Sequence, residues 1–303
     1  LVFKNHSLSR ISFISPLIYT SMIDLHLHTK ASDGTLSLEE LVKRAEKAGL
    51  KAIAITDHDT VKAARRIKEL ETSIEVIPGI EISVYDNKLD YIDLHVLGLF
   101  IDPENAKLLS TLERLEKERE EQKKAIVGKL NELGYEITYE DARKYAEGQI
   151  GRPHIARALM EKYPQEFRSI SEAFDKLLDQ SKPAFRSRTA FFGLKDAIDV
   201  IHEAGGVAIL CHPGFCRYKT EKLLKDFKAL GGDGIETIYD YEHNSGWREI
   251  TDNEGINKEM KGWAGKLGLL ESGGSDYHGP NKGAELGVFD VPDELLDRIR
   301  KHL

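Results

Sequence analysis

Two histidines one residue apart, His26 and His28, carry the first hint of chemistry in this chain. A β-strand sends alternate side chains to opposite faces, so in Met22-Ile-Asp-Leu-His-Leu-His28 the two imidazoles share a face, and Leu25 and Leu27 are expected to turn the other way into a core. Such a pair is half of a metal site. Five residues on, Asp33 in a Ser-Asp-Gly turn adds a carboxylate at the same rim. Later segments deliver more donors of the same kind: His58 in Asp-His-Asp, Glu81 after Gly-Ile, His95, His212 in Cys-His-Pro, and Asp276 with His278 in Ser-Asp-Tyr-His. Six of the eleven histidines thus fall at predicted strand ends. An isolated histidine there is ordinarily a satisfied structural residue, but six at once, joined by three carboxylates, need a common cause. Imidazole and carboxylate donors without thiolates suit zinc, manganese, iron or magnesium, and nine donors exceed the ~4 of a single tetrahedral zinc. Two or three divalent ions are expected.

The elements that must position these groups alternate. Ser37 and Glu40 form a capping box for a helix with Leu38, Leu41, Val42, Ala45 and Ala48 at helical spacing and Gly49 as its stop. Lys51–Thr56 reads as a strand ending at Asp57-His58-Asp59, followed by a helix near Val61–Leu70, a strand through Val76 and Ile77 to Glu81, and a strand Tyr91–Leu99 containing His95. Strand and helix in alternation predict an α/β fold with a mainly parallel sheet and its site at the carboxyl ends of the strands. From 103 to 189 no strand is legible and the pattern is helical, with the run Glu116–Lys124 wholly charged or amide. The rhythm resumes near Gly193, with strands Val207–Leu210, Ile235–Ile238 and Leu269–Ser272, and an amphipathic helix Pro292–His302. We therefore expect a catalytic α/β domain, a barrel or an open sheet, from 22–102 and 190–303, interrupted by an all-helical insertion over 103–189, with 1–21 as a disordered extension.

Composition bounds the rest. At 303 residues, with 31% charged residues and a net charge of -8, the chain has no overall basic field, which argues against stable DNA coating. Cys211 and Cys216 are too few for a disulfide framework or a thiolate zinc site, which fits a reducing cytoplasm. Cys211, preceding His212 on a strand, is expected to face away from the metals. No window approaches the ~18 apolar residues of a membrane span. Oligomeric state is not legible.

Taken together, His26-x-His28, Ser32-Asp33-Gly34, Ile55-Thr56-Asp57-His58-Asp59, Gly79-Ile80-Glu81, His95, Cys211-His212-Pro213 and Ser275-Asp276-x-His278 resemble the PHP family, the polymerase and histidinol phosphatase superfamily. The helical insertion, with Gly151-Arg152-Pro153-His154-Ile155-Ala156-Arg157 inside it, resembles the subgroup that dephosphorylates nucleoside 3',5'-bisphosphates and trims short RNA from its 5' end. The resemblance implies a distorted TIM-like (β/α)7 barrel. It also implies one ion on His26, His28, Glu81 and Asp276, a second on Glu81, His95 and His212, and a third on Asp33, His58 and His278.

Clustered dications make hydroxide available from a shared water and clamp phosphoryl oxygens, so hydrolysis of a phosphate monoester is the expected reaction. His212, Asp59 and a water are the alternatives for proton donor to the leaving oxygen. Arg119, Arg152, His154, Arg186 and Arg188 are candidates for a second phosphate of a small nucleotide or short RNA, with Arg152 and His154 foremost because they open a predicted helix, whose amino end favours anions. Histidinol phosphate or another small phosphate ester, and a non-catalytic metal-binding regulatory module, stand as alternatives.

Overall fold

The computed structural model describes residues 22–84, 94–146, 150–179, 181–186, 192–216, 219–244, 250–280, 282–287 and 290–303. Seven strands, β1 (Ile23–Leu27), β2 (Ala52–Ile55), β3 (Glu75–Val84), β4 (Leu94–Leu99), β5 (Val207–Leu210), β6 (Gly234–Ile238) and β7 (Leu270–Gly273), form one sheet in sequence order. It curls until its edges meet at the site end: Leu27 bridges Tyr277, and the His28 backbone N–H donates to the Tyr277 carbonyl at 3.0 Å.

The sheet is parallel at β1–β2–β3 and β5–β6–β7, but β4 is antiparallel to both neighbours, which corrects the expectation of a mainly parallel sheet. A parallel return needs a crossover of a dozen or more residues. Between Val84 and Leu94 there is no room for one. The reversal has a consequence for the site. His95 lies at the amino end of β4, and because that strand runs backwards, this end meets the rim where the parallel strands finish.

Helices α1 (Leu38–Lys47), α6 (Leu194–Glu203), α7 (Thr220–Ala229), α9 (Asn253–Leu267) and α10 (Asp293–Arg300) accompany the strands, with a short α8 (Tyr241–Asn244) after β6. The capping box of α1 is present, Ser37 accepting from the Glu40 N–H, and Leu38, Leu41, Val42 and Ala45 are buried. Instead of an α-helix at Val61–Leu70 there is one 3₁₀ stretch, Ala64–Glu69, whose N-cap Ala63 has no side chain able to cap it.

Between β4 and β5 the chain runs through α2 (Ala106–Glu132), α3 (Tyr139–Arg143), α4 (Arg152–Lys162) and α5 (Ile170–Ala173), the last continuing into a π turn at Phe174–Leu178. Along α2, Leu108, Leu112 and Leu115 join the core that packs against the sheet, whereas Ile126, Val127 and Leu130 join a second core whose members all lie between Ile126 and Ala184. The charged run at 116–124 separates the two. One continuous helix therefore ties both cores together.

Inside the curled sheet, Leu25, Ala54, Ile77, Leu97 and Ile209 cluster with Leu295, Leu296 and Ile299 of α10. Leu25 and Leu27 do not share a core, because β1 shifts register between Asp24 and Leu27 and Leu27 packs with α1. The bulge interrupts strict alternation. It lets β1 contribute Leu25 to the interior while His26 and His28 still reach the rim. β7 leaves the sheet through Gly274, where a Cβ would stand 2.6 Å from the His26 backbone nitrogen. Gly274→Ala should destabilise the metal-free protein by about 1–3 kcal/mol through overpacking at this seam, seen as a lower urea midpoint with an unchanged m-value.

Candidate metal centre

On β3 the side chains of Ile77 and Glu81 share a face, with Gly79 between them adding none, so Glu81 stands above the apolar interior; on β4 His95 stands above Leu97 in the same way. Around Glu81 the rim residues converge. Its Oε2 lies 3.2 Å from His26 Nε2, 3.2 Å from His28 Nε2 and 3.0 Å from His58 Nδ1. Its Oε1 lies 2.8 Å from His95 Nδ1 and 3.4 Å from His212 Nε2. Asp276 Oδ1 completes a compact group, 3.4 Å from His26 Nε2 and 3.0 Å from His28 Nε2.

These atoms fit a metal ion. His26 Nε2, His28 Nε2, Glu81 Oε2 and Asp276 Oδ1 are buried and lack hydrogen-bond partners although each nitrogen stands 3.0–3.4 Å from both oxygens. A tetrahedral ion at about 2.0–2.1 Å from each ligand sets them about 3.3–3.4 Å apart. Glu81, His95 and His212 make a second convergence, with His95 Nδ1 and His212 Nε2 3.4 Å apart. Asp33, His58, His278 and the other side of His28 make a third, more open one, with Asp33 Oδ1 3.3 Å from His278 Nε2 and Asp33 Oδ2 4.0 Å from His58 Nε2.

A further shell aims these groups. Glu236, fully buried, takes the His26 Nδ1–H at 2.8 Å and thereby turns Nε2 toward the cluster; its other oxygen accepts from the His212 backbone N–H at 2.6 Å. Tyr239 donates to Asp276 Oδ2 at 2.7 Å. Asp57 accepts from the Thr29 N–H, the Thr29 hydroxyl and the Ser32 hydroxyl at 2.6–2.7 Å, shaping the loop that carries Asp33. In the same loop a Cβ on Gly34 would stand 2.5 Å from the His28 carbonyl oxygen. Asp59, His212 and Asp276 all have φ between 30° and 54°, a backbone region that non-glycine residues rarely adopt and that concentrates at functional sites. Glu236 and Tyr239 were missed in the sequence; only their place at the carboxyl end of β6, beside the rim, marks them.

The turn at His212 also corrects the expectation for Cys211. Ile209 and Cys211 share the interior face of this segment, and the positive φ of His212 breaks the alternation, so both side chains point inward. The buried sulfur lies within 4.8 Å of donor atoms of Glu81 and His212.

The carboxylates favour the protonated rings of His26 and His28, whereas burial lowers the basicity of His58. Burial lowers the basicity of His28, but the carboxylates of Asp276 and Glu81 outweigh it and raise the pKa to about 10; His26 is likewise pushed up against burial by Glu236, Glu81 and Asp276. For Glu81 burial acts upward, and the imidazoles of His58, His95 and His26 more than offset it. Metals require deprotonated ligands. Binding an ion at His26 and His28 would therefore displace protons from these rings. Calorimetric titration with zinc in two buffers of unlike ionisation enthalpy should show net proton release and an affinity that rises with pH.

The remaining expected residues divide. The cluster opens into a cleft of about 570 Å³ lined by His58 and Asp33 on its floor and by Lys30, Arg119, Arg157 and Lys282 among its walls. His154 also lines it; its Nδ1 accepts from the Gly151 N–H at 2.9 Å, and burial with nearby Arg157 lowers its pKa, so it is a neutral imidazole. Arg152 is a correction: its guanidinium lies over the rings of Phe174 and Phe185, at 5.5 and 5.6 Å, and donates to the Leu178 carbonyl inside the helical core. Arg186 donates to the Phe185 and Pro183 carbonyls rather than lining the cleft. Arg188 lies outside the described residues. Asp59 does not fit a proton donor, since its carboxylate accepts from the Ser83 N–H and pairs with Arg119. Arg157 was overlooked as a contact, although its spacing from Pro153 and His154, four and three residues along α4, places all three on one face.

Fold and site together define a class. The chain belongs to the PHP domain family, whose model matches residues 24–210. It is 35% identical to the 5'-3' exoribonuclease of Haemophilus influenzae across 91% of this chain and 97% of that protein, and 31% identical to the 3',5'-nucleoside bisphosphate phosphatase of Chromobacterium violaceum across 86% and 88%. The solved structure of a candidate metal-dependent phosphoesterase from Bifidobacterium adolescentis superposes with a TM-score of 0.75 at 27% identity, covering 92% of this chain and 95% of that one. This chain is a metal-dependent phosphoesterase of the family. Among the described residues no helix is long and apolar enough to cross a membrane.

Glu236→Ala should leave the His26 ring unaimed and weaken metal binding about 10- to 100-fold, read by competition against a metallochromic chelator.

Proposed function

We propose that this protein removes one phosphate from a nucleotide bearing a second phosphate, with short 5'-phosphorylated RNA as the larger member of the same substrate class. The observation that carries the reading is the composition of one cleft: a floor of imidazoles with Asp33, and walls bearing Lys30, Arg157 and Lys282. The cations on the walls extend the cleft's positive character beyond the floor, where a second phosphate of the same substrate would lie. The names of the relatives, a bisphosphate phosphatase and an exoribonuclease, agree with it.

In this reading His26, His28, Glu81 and Asp276 hold one divalent ion, Glu81, His95 and His212 a second, and Asp33, His58 and His278 a third, the donor set suiting manganese, zinc, iron or magnesium. Bound ions supply a nucleophilic oxygen from water near neutral pH and offset charge on the phosphoryl group. The protein's own groups do the rest. Glu236 fixes the His26 tautomer, Tyr239 orients Asp276, and the helices beyond β4 cap the cleft, bringing His154 and Arg157 from α4 against the distal part of the substrate. Arginine forks match phosphate oxygens, and neutral His154 offers a hydrogen bond rather than a charge.

Phosphate release from adenosine 3',5'-bisphosphate, compared with AMP, histidinol phosphate and a short 5'-phosphorylated RNA, tests the reading. Preferred turnover of the bisphosphate, lost on chelation and in His26→Ala, is expected. Arg157→Ala should raise KM for the bisphosphate by about 10-fold or more, the scale of one lost charge-assisted contact, and leave AMP nearly unchanged. Equal rates on all four compounds would refute selection by a second phosphate.

A further inference from the structure

We propose that Asp59 is a positioning residue whose buried carboxylate holds the Arg119 guanidinium beside the metal cluster, where Arg119 contacts the phosphoryl group under attack. The inference rests on the phosphoesterase reading of the site, not on which nucleotide is the substrate.

Arg119 comes from the charged middle of α2, the stretch that joins neither core. It nonetheless reaches the barrel rim, ion-paired with Asp59 and 3.2 Å from the Ser83 hydroxyl. Both anchors are neighbours of the cluster: Asp59 follows His58, and Ser83 is the register partner of His95. Asp59 is itself held rigidly. Its N–H donates to the Glu81 carbonyl at 2.9 Å, its Oδ1 accepts from the Ser83 N–H at 2.7 Å, and its φ is 50°. Only 2% of Asp59 is exposed, and a carboxylate so buried demands a cation.

Holding a cation in place explains why a strained, buried acid sits here. The arginine side chain keeps 17% of its surface open and lines the cleft together with His58, and its contacts with Asp59 and Ser83 seat it at the rim. A guanidinium fixed before the substrate arrives stabilises charge developing on phosphoryl oxygens without reorganising at the moment of reaction. The pairing also means that α2 must be seated on the barrel for the site to be complete. A surface ion pair would account for none of this, because neither partner is exposed.

The test uses p-nitrophenyl phosphate, which has no second phosphate, beside adenosine 3',5'-bisphosphate, with wild type, Arg119→Ala, Asp59→Asn and the double variant. Asparagine tolerates the positive φ and still accepts from Ser83, so Asp59→Asn removes little but the charge. Arg119→Ala should lower kcat about 100-fold or more on both substrates, with KM for the aryl phosphate within about 2-fold of wild type. Asp59→Asn should lower kcat in the same sense, and the double variant should be no worse than Arg119→Ala alone. Added guanidinium should restore turnover in Arg119→Ala but not in the double variant, a rescue that a merely structural role would not give. Loss confined to KM for the bisphosphate, additive losses, or equal rescue of both variants would overturn the proposal. Wild-type turnover of the aryl phosphate without the bisphosphate would instead refute the substrate reading and leave this comparison intact.

Discussion

A single buried carboxylate, that of Glu81, lies within 2.8–3.4 Å of five imidazoles drawn from four separate segments of chain. No apolar core tolerates that density of polar groups unless something satisfies them, since an unpaired buried charge costs several kcal/mol or about that. Strand ends, loops and caps are arranged to bring these groups together and then to restrain them. Glu236 beneath His26, Tyr239 against Asp276 and Asp57 under the Asp33 loop are each buried polar groups whose partners belong to the cluster or its scaffold. The two oxygens of Glu81 face different sets of rings, Oε2 toward His26, His28 and His58 and Oε1 toward His95 and His212. A carboxylate so divided would serve both of the ion sites proposed around it.

The same cluster accounts for the fold's departures from regularity. A bulge in β1, a reversed β4 and positive φ values at Asp59, His212 and Asp276 all occur where the chain meets the rim. Each costs something locally, and each re-aims a side chain that strict strand geometry would send elsewhere. Reversal of β4 is the largest of these, because it delivers His95 from the beginning of a strand to a face otherwise furnished by strand ends.

Much of this was legible in the sequence because it depends on local rules. The capping box of α1, the strand Val207–Leu210 and the long helix beyond Pro103 follow from spacing and caps. Donor residues announced themselves by type and by the turns beside them. What was not legible depends on where distant segments meet. Arg152 opens a helix and looked like an anion contact, yet two aromatic rings from the following turn and loop claim it, while Arg157 one turn later faces the cleft. Cys211 was misplaced because one residue with positive φ undoes the alternation on which the reading relied. Glu236 carried no motif, and only the fold puts it under His26.

Crystals of the protein grown with manganese, with anomalous differences recorded at the manganese edge, address the central claim most directly. The account predicts a peak enclosed by His26, His28, Glu81 and Asp276 and further density beside His95 and His212, with both lost together in Glu81→Ala. Turnover of a phosphate ester by protein whose only anomalous peaks lie away from this rim would contradict it.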